Sequence, residues 1–392
     1  MVMNVPIART SLTEEEVQSV LEPLRSGWLV QGPQVKSFEQ KWSSFTGAPH
    51  SLAVTSCTTG MHLAVAALDL GPEDEVIVPA LTWISTANVI EHQGATPVFC
   101  DVELETFNID VAQIEGLISE RTVGILPVHL FGLAADMDPI LAIARKYGLW
   151  VIEDAACGFG ATYRGQHVGY FGNAGAFSFH PRKAITTGEG GMVTATDSDL
   201  ATKIQQLRDH GAVMSDLQRH LGPKPYLLAD HIYAGYNQRM TDMQGALGNM
   251  QMDRAGAIVE ERRGIAEEFD AAFANLDWLR TPVAPNGFGH GYQSYPCLFQ
   301  PKFAEDPSQV AAVNAARNRW MEALQIAGIS TRPATHAVHM LSFYATKYSL
   351  RPEDFPNARA ANDCSISLPL FHGMTDAERA HVVNAVRSAA PF

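Results

Sequence analysis

Positive charge is scarce in this chain: 28 lysines and arginines stand against 42 aspartates and glutamates, a formal net charge of −14. That balance argues against nucleic acid as the main partner, because phosphate binding needs a basic surface, although it leaves room for a local basic pocket. Cysteine is also sparse. The five cysteines, at 57, 100, 157, 297 and 364, are odd in number and irregular in spacing, which fits a reducing compartment rather than a disulfide frame. None forms a CxxC pair, so a zinc site built on cysteine is not expected. No apolar run approaches membrane-spanning length, and the first residues lack a basic segment followed by an apolar core. The expectation is a soluble, cytoplasmic protein with no membrane partner. Internal repeats and low-complexity tracts are absent as well.

What is present is a chain of 392 residues, long enough for a large core and for two domains. From residue 51, apolar strand-like runs alternate with helical patterns. The runs are Ser51–Ser56, Glu75–Pro79, Thr96–Val102, Val123–Val128, Trp150–Asp154, Ala174–Phe179 and Gly191–Thr196. Helical patterns at Met61–Leu70, Ser85–Gln93, Val111–Ile118 and Pro139–Tyr147 separate several of them. This alternation predicts an α/β fold with a mostly parallel seven-stranded sheet covered on both faces. The last three strands are close in sequence, which leaves room for an antiparallel member. Before them, Ser11 followed by Glu14 predicts a capped helix with Val17, Val20, Leu21 and Leu24 on its apolar face. After them, a long helix over Thr241–Asn275 leads to a Pro/Gly-rich connector. A smaller α+β region follows, with strands at Tyr292–Phe299, Ile329–Arg332 and Ser365–Leu368. The expected division is a large domain over 1–250, with an N-terminal arm, and a smaller C-terminal domain over 251–392.

The chemistry concentrates between Trp150 and Thr196. Asp154 ends one apolar strand, and Lys183 lies just past another, in a turn closing on Gly188-Glu189-Gly190-Gly191. Open α/β sheets bind ligands at the carboxyl ends of their strands. A carboxylate that keeps a pyridinium nitrogen protonated and an amine that forms a Schiff base are the two groups needed on either side of pyridoxal phosphate (PLP). Taken alone, Asp154 serves equally as a helix cap or structural ion pair, and Lys183 as a solvated turn lysine. Ser56-Cys57-Thr58-Thr59-Gly60 ends the first strand and opens a helix, so it reads either as an N-cap or as an anion site for the cofactor phosphate. Ser178 can add a hydroxyl to the same phosphate or simply be a small strand residue. Trp83, at another strand-to-helix junction, suits ring stacking or a core position. His129 ends the fourth run without an assignable role. His336 and His339 have ligand-like spacing, yet no carboxylate or cysteine completes a set, so no metal is expected.

Several ordered blocks together resemble the PLP-dependent sugar aminotransferases of the DegT/DnrJ/EryC1/StrS type. They include Glu153-Asp154-Ala155-Ala156, Phe177-Ser178-Phe179-His180-Pro181-Arg182-Lys183 and Thr186-Thr187-Gly188-Glu189-Gly190-Gly191-Met192. Ser26-Gly27-Trp28, Thr82-Trp83, Gly235–Thr241 and Thr331-Arg332-Pro333 followed by His339 extend the likeness along nearly the whole chain. The resemblance implies a fold type I PLP enzyme working as a homodimer with shared active sites. It makes Lys183 the Schiff-base lysine, Asp154 the pyridinium partner, Trp83 the stacking aromatic, and Ser178 and Thr58 phosphate ligands. Asn237 is implied to reach the phosphate from the neighbouring subunit. Arg239, Arg332 and His339 are implied to face substrate.

Two positions depart from the family pattern: Cys157 stands where glutamine or histidine usually contacts the ring hydroxyl, and Cys57 where glycine lets the backbone approach the phosphate. The implied reaction passes an amino group from glutamate or glutamine to a nucleotide-linked ketosugar, with Glu189 favouring C4 of a 4-keto-6-deoxy sugar. A cyclitol ketone is the alternative acceptor. Lys183 argues against a dehydratase of the same fold, which carries histidine there, and Lys183 with Asp154 argues against a non-catalytic relative.

Overall fold

The computed structural model describes residues 3–214, 226 and 228–388. Seven strands form its main sheet: β1 (His50–Val54), β2 (Glu75–Pro79), β3 (Thr96–Cys100), β4 (Thr122–Ile125), β5 (Trp150–Asp154), β6 (Ala174–Ser178) and β7 (Gly191–Ala195). Their spatial order is β1-β7-β6-β5-β4-β2-β3. β7 pairs antiparallel with both β1 and β6, and the remaining pairs are parallel. Only β7 is reversed, so β1, β2, β5 and β6 all finish at one edge and β7 starts there.

Alternation along the strands builds two cores. Ala176 and Val193 face the helix Cys57–Ala67, while Phe177 and Met192 face Phe38 and Trp42 of the helix Pro33–Thr46. The second face is an aromatic cluster in which Trp42 meets Phe177 at 4.9 Å and Phe179 at 5.1 Å between ring centroids. The helix Pro33–Thr46 has no side-chain cap of its own. Instead the carboxylate of Asp242 accepts the N–H groups of Gly32, Gln34 and Val35 at 2.9, 3.2 and 2.9 Å.

Three sequence expectations change in detail. The cap of the first helix is Thr13, in a reciprocal capping box with Glu16, and the helix ends at Ser19 before a second one over Leu21–Ser26. Pro23 lacks the N–H that a continuous helix needs, and Val17 and Leu24 are exposed rather than forming a buried face. The expected helix over Thr241–Asn275 is two, Asp242–Met252 and Ala255–Phe273. At the break, Arg254 Nε reaches back 2.6 Å to Glu16 Oε1. Ile329–Arg332 makes only isolated bridges, to Val5 and to Ser367.

Beyond residue 278 a three-stranded antiparallel sheet joins Leu279–Arg280, Tyr295–Phe299 and Ser365–Leu368, with the helix Val310–Ile326 alongside. The short strand His336–Ala337 pairs with Leu81–Thr82, which ties this region to the end of β2. Among the described residues no helix is long and apolar enough to cross a membrane.

Candidate active site

Asp154 is the last residue of β5 and only 2% exposed. Its Oδ2 accepts a hydrogen bond from Thr86 Oγ1 at 2.7 Å, and its Oδ1 accepts the N–H of Ala156 at 3.0 Å. Among the described residues it has no cationic partner within salt-bridge distance. A cation brought beside a buried carboxylate in that position would offset its desolvation. Strand alternation turns its neighbour Glu153 to the other face. There Glu153 accepts His129 Nε2 at 2.8 Å and the N–H groups of Gly169, Phe171 and Gly172. The N–H of Ala135 donates to His129 Nδ1, which leaves the ring proton on Nε2, facing Glu153. His129, without a role from sequence, therefore braces β5 from below.

Lys183 sits in a turn closed at several points. Phe179 N donates to Gly190 O at 2.9 Å, Lys183 N to His180 O at 2.8 Å, and Thr187 N to Phe179 O at 3.0 Å. The side chain of Thr186 also donates to Phe179 O, at 2.8 Å. This lattice fixes the backbone of a half-buried lysine whose Nζ donates to Cys157 Sγ at 3.1 Å. Cys157 is thus brought to Lys183 by the loop after β5.

Ser56 caps the helix Cys57–Ala67. Its Oγ accepts Thr59 N at 3.1 Å, while Ser56 N donates to Thr59 Oγ1 at 3.0 Å. Capping and anion binding were alternatives in the sequence; the structure shows the cap, and the N–H groups of Cys57 and Thr58 are left as orphan donors of the first turn. Cys57 turns its side chain down into the sheet. Its Sγ lies 3.2 Å from Ala176 O and 3.9 Å from Asp154 Oδ1, and burial together with Asp154 pushes the thiol well above its ordinary pKa. The backbone of this turn is not screened by that side chain. Gly191, opposite Ser178 in the β6–β7 register, lies directly beneath it: a Cβ there would sit 2.5 Å from Ser56 C and 2.6 Å from Cys57 N. That close approach puts Ser178 beside the helix N-terminus. Ser178 Oγ also accepts His180 N at 3.4 Å.

The other residues expected at the site are spread more widely. Trp83 is 54% exposed, edge-on to His336 at 5.5 Å, and its carbonyl lies 3.0 Å from the same Thr86 Oγ1 that holds Asp154. Asn237 is exposed and bridges the backbone of Asp209. Arg239 pairs with Asp209, while its backbone bridges Val54 at the end of β1. Arg332 is half-buried, its pKa pushed down by burial and by Arg182. His339 is fully buried against Phe355, 4.8 Å between ring centroids, and burial lowers its pKa; its ring contact is with core rather than with Lys183 or Asp154. Thr86 was not singled out in the sequence, where it is one hydroxyl among several in an ordinary helix.

These residues fit pyridoxal phosphate. An uncompensated buried carboxylate, a half-buried amine and free N–H groups at a helix start all meet at one sheet edge, and they match the ring nitrogen, the aldehyde and the phosphate of that molecule.

Comparison with known proteins agrees. The family model of the DegT/DnrJ/EryC1/StrS aminotransferases matches residues 10–387. The chain is 38% identical over 383 residues to the spore coat polysaccharide biosynthesis protein SpsC of Bacillus subtilis, covering 98% of this chain and 96% of SpsC. An uncharacterized protein of Methanocaldococcus jannaschii, MJ1066, is also 38% identical, over 98% of this chain and 97% of its own. Among solved structures, the putative sugar aminotransferase Spr1654 of Streptococcus pneumoniae superposes with a TM-score of 0.90 in its PMP form and 0.89 in its PLP form. Each is 28% identical to this chain, and coverage of either chain is at least 98%. By sequence, fold and the elements that carry the site, this chain belongs to the DegT/DnrJ/EryC1/StrS aminotransferase family.

Proposed function

We propose that this enzyme moves an amino group from glutamate or glutamine to a ketosugar carried on a nucleoside diphosphate, at C4 of a 4-keto-6-deoxy sugar. The observation that carries the reading is Asp154: a buried, hydrogen-bonded carboxylate without a cationic partner among the described residues, at the same sheet edge as Lys183. The family, the PLP and PMP forms of a close structural relative, and the polysaccharide role in the name of SpsC support it. The C4 assignment rests on Glu189 in the Thr186–Met192 turn.

PLP is the cofactor, and when bound it supplies a protonated ring that accepts electrons from a carbon bearing the transferred nitrogen. The chain does the rest. Asp154, fixed by Thr86 and the Ala156 N–H, keeps the positive charge on the ring nitrogen favourable. The N–H groups of Cys57 and Thr58, with the Ser178 hydroxyl, hold the phosphate. Trp83, exposed at the end of β2, would stack on one face of the ring and exclude water from it. Lys183 would carry a proton between the donor carbon and the cofactor's aldehyde carbon, which lie on either side of the transferred nitrogen, and its held backbone and mobile side chain permit that transfer.

The enzyme works as a homodimer with shared sites. Supporting this, Asn237 is exposed on its own chain, and Leu29, Val30, Trp83, Ile232 and Tyr233 leave exposed apolar surface. The test is a panel of nucleotide-linked 3-keto and 4-keto sugars and a cyclitol ketone, with glutamate consumption as readout and the aminated carbon located by NMR. Turnover confined to the cyclitol, or amination at C3, would replace the acceptor stated here.

A further inference from the structure

One sulfur among the described residues faces a nitrogen. Lys183 Nζ donates to Cys157 Sγ at 3.1 Å, whereas the sulfurs of Cys57, Cys100 and Cys364 point at backbone carbonyls and Cys297 is fully buried. Cys157 is also the one cysteine of the five that is half-buried rather than buried. Both members of the pair are held by their backbones. Cys157 lies in a turn closed by Ala156 N on Asp154 Oδ1 at 3.0 Å and by Gly158 N on Ala155 O at 2.8 Å. Lys183 lies in the turn that Phe179, His180 and Gly190 close. Among the described residues its amine has no carboxylate within salt-bridge distance. A second cation is near: Arg332, whose pKa burial and Arg182 push down, feels the opposing charge of a Cys157 thiolate.

A partly exposed sulfur among cations is the setting in which cysteine is oxidised, because the thiolate attacks and the departing oxygen needs a proton. With hydrogen peroxide as the oxidant, two steps follow. In the first, the Cys157 sulfur attacks one peroxide oxygen and the O–O bond breaks. The Lys183 ammonium gives its proton to the departing oxygen, which leaves as water. Sulfur is oxidised to sulfenic acid, the peroxide is reduced, and Lys183 is left as a neutral amine. In the second step that amine attacks the sulfenic sulfur: an S–N bond forms, the S–O bond breaks, and the oxygen leaves with the amine's proton as a second water. The lysine's flexible four-carbon stem closes the remaining distance. Two thiols of a reductant reverse the link, one cleaving the S–N bond and the other completing a disulfide. The competing nucleophile is Cys57, whose charge also interacts with Cys157. Its sulfur is turned toward Ala176 O at 3.2 Å, and burial together with Asp154 keeps the thiol protonated.

We propose that Cys157 and Lys183 form a peroxide-driven, thiol-reversible sulfur–nitrogen cross-link in the PLP-free chain, a modification site that shuts out the cofactor. It goes beyond the transamination reading and rests on it only for Lys183 as the nitrogen through which PLP is held.

The experiment treats the full chain, PLP-free and PLP-loaded, with hydrogen peroxide, blocks free thiols with iodoacetamide and reads the peptides by mass spectrometry. In the PLP-free chain the Cys157 and Lys183 peptides are expected to be joined, two hydrogens lighter than the reduced pair, and dithiothreitol is expected to separate them. Loading PLP beforehand is expected to lower the yield about tenfold, and peroxide treatment to lower later PLP uptake, read by absorbance, about tenfold until dithiothreitol is added. In Cys157→Ser, peroxide is expected to leave uptake at that variant's own untreated level. In Lys183→Ala the first step is expected to stop at the sulfenic acid, captured by dimedone. Cys157 found joined to Cys57, a link that retains an oxygen, or Cys157 recovered only as sulfinic acid would overturn the proposal. Equal linkage with and without PLP would overturn the exclusion of the cofactor. The masses are read without glutamate or ketosugar, so failure of the transamination reading leaves these outcomes untouched.

Discussion

The amine of Lys183 lies 3.1 Å from the sulfur of Cys157, and the loop that carries this cysteine is the continuation of the strand that carries Asp154. The other four cysteines are buried. Burial raises the thiols of Cys57, Cys100 and Cys297, and pushes Cys364 up to about 12. Iodoacetamide is therefore expected to label Cys157 first in the PLP-free chain, with loading of PLP slowing that labelling about tenfold or more by occlusion. Peptide mass spectrometry reads the outcome. Equal labelling with and without PLP would place Cys157 outside the cofactor site.

Thr86 is the hydroxyl that holds Asp154. Thr86→Val keeps the shape and removes a hydrogen bond to a charged group, a loss of about 1.5–3 kcal/mol. PLP affinity, measured by fluorescence titration, is expected to weaken at least tenfold. Unchanged affinity would mean that the Ala156 N–H alone orients the carboxylate.

Two histidines give the fold an acid limit. Burial pushes His167 down to about 4 and His290 down to about 3, below the ordinary 6.5. Both rings are neutral in the native state, while in the unfolded chain they take up protons as pH falls below 6.5. The stability they contribute is complete above that value and is lost as pH drops toward their folded values. Urea denaturation at pH 7.5 and pH 5 is expected to differ by about 2 kcal/mol per ring. His167→Gln, which keeps an acceptor for Gly160 N, is expected to flatten the slope. A slope unaltered in that variant would count against His167 as one of the groups responsible.

Shared sites make a prediction that single-chain sites do not. Lys183→Ala and Asn237→Ala chains, each inactive alone, are expected on mixing to recover about a quarter of wild-type activity, because half the dimers are hybrids and each hybrid has one intact site. No recovery after subunit exchange, verified by mass, would confine Asn237 to its own chain.

What was legible in the sequence was mostly local. Asp154, Ser178 and Lys183 announce themselves because each closes a strand or follows one, and the strand–helix alternation gives away a mostly parallel sheet. The details that escaped depend on contacts between distant segments. The antiparallel member expected among the last three strands is β7, though which strand is reversed is a matter of pairing, not of composition. Thr86 matters only because the helix after β2 lies across the end of β5. Cys57 misleads in the opposite direction. Its position suggests a side chain facing the phosphate, yet the cap at Ser56 points it into the sheet. The break at Arg254 is likewise set by Glu16, far away in sequence.

Absorption spectroscopy of the PLP-loaded protein tests the pairing of Asp154 with Lys183 most directly. Wild-type protein should show a visible band that glutamate shifts to the shorter wavelength of the pyridoxamine form, and Lys183→Ala should lose that conversion. A protein that stays colourless with PLP, or a Lys183→Ala variant that glutamate converts at the wild-type rate, would contradict the account.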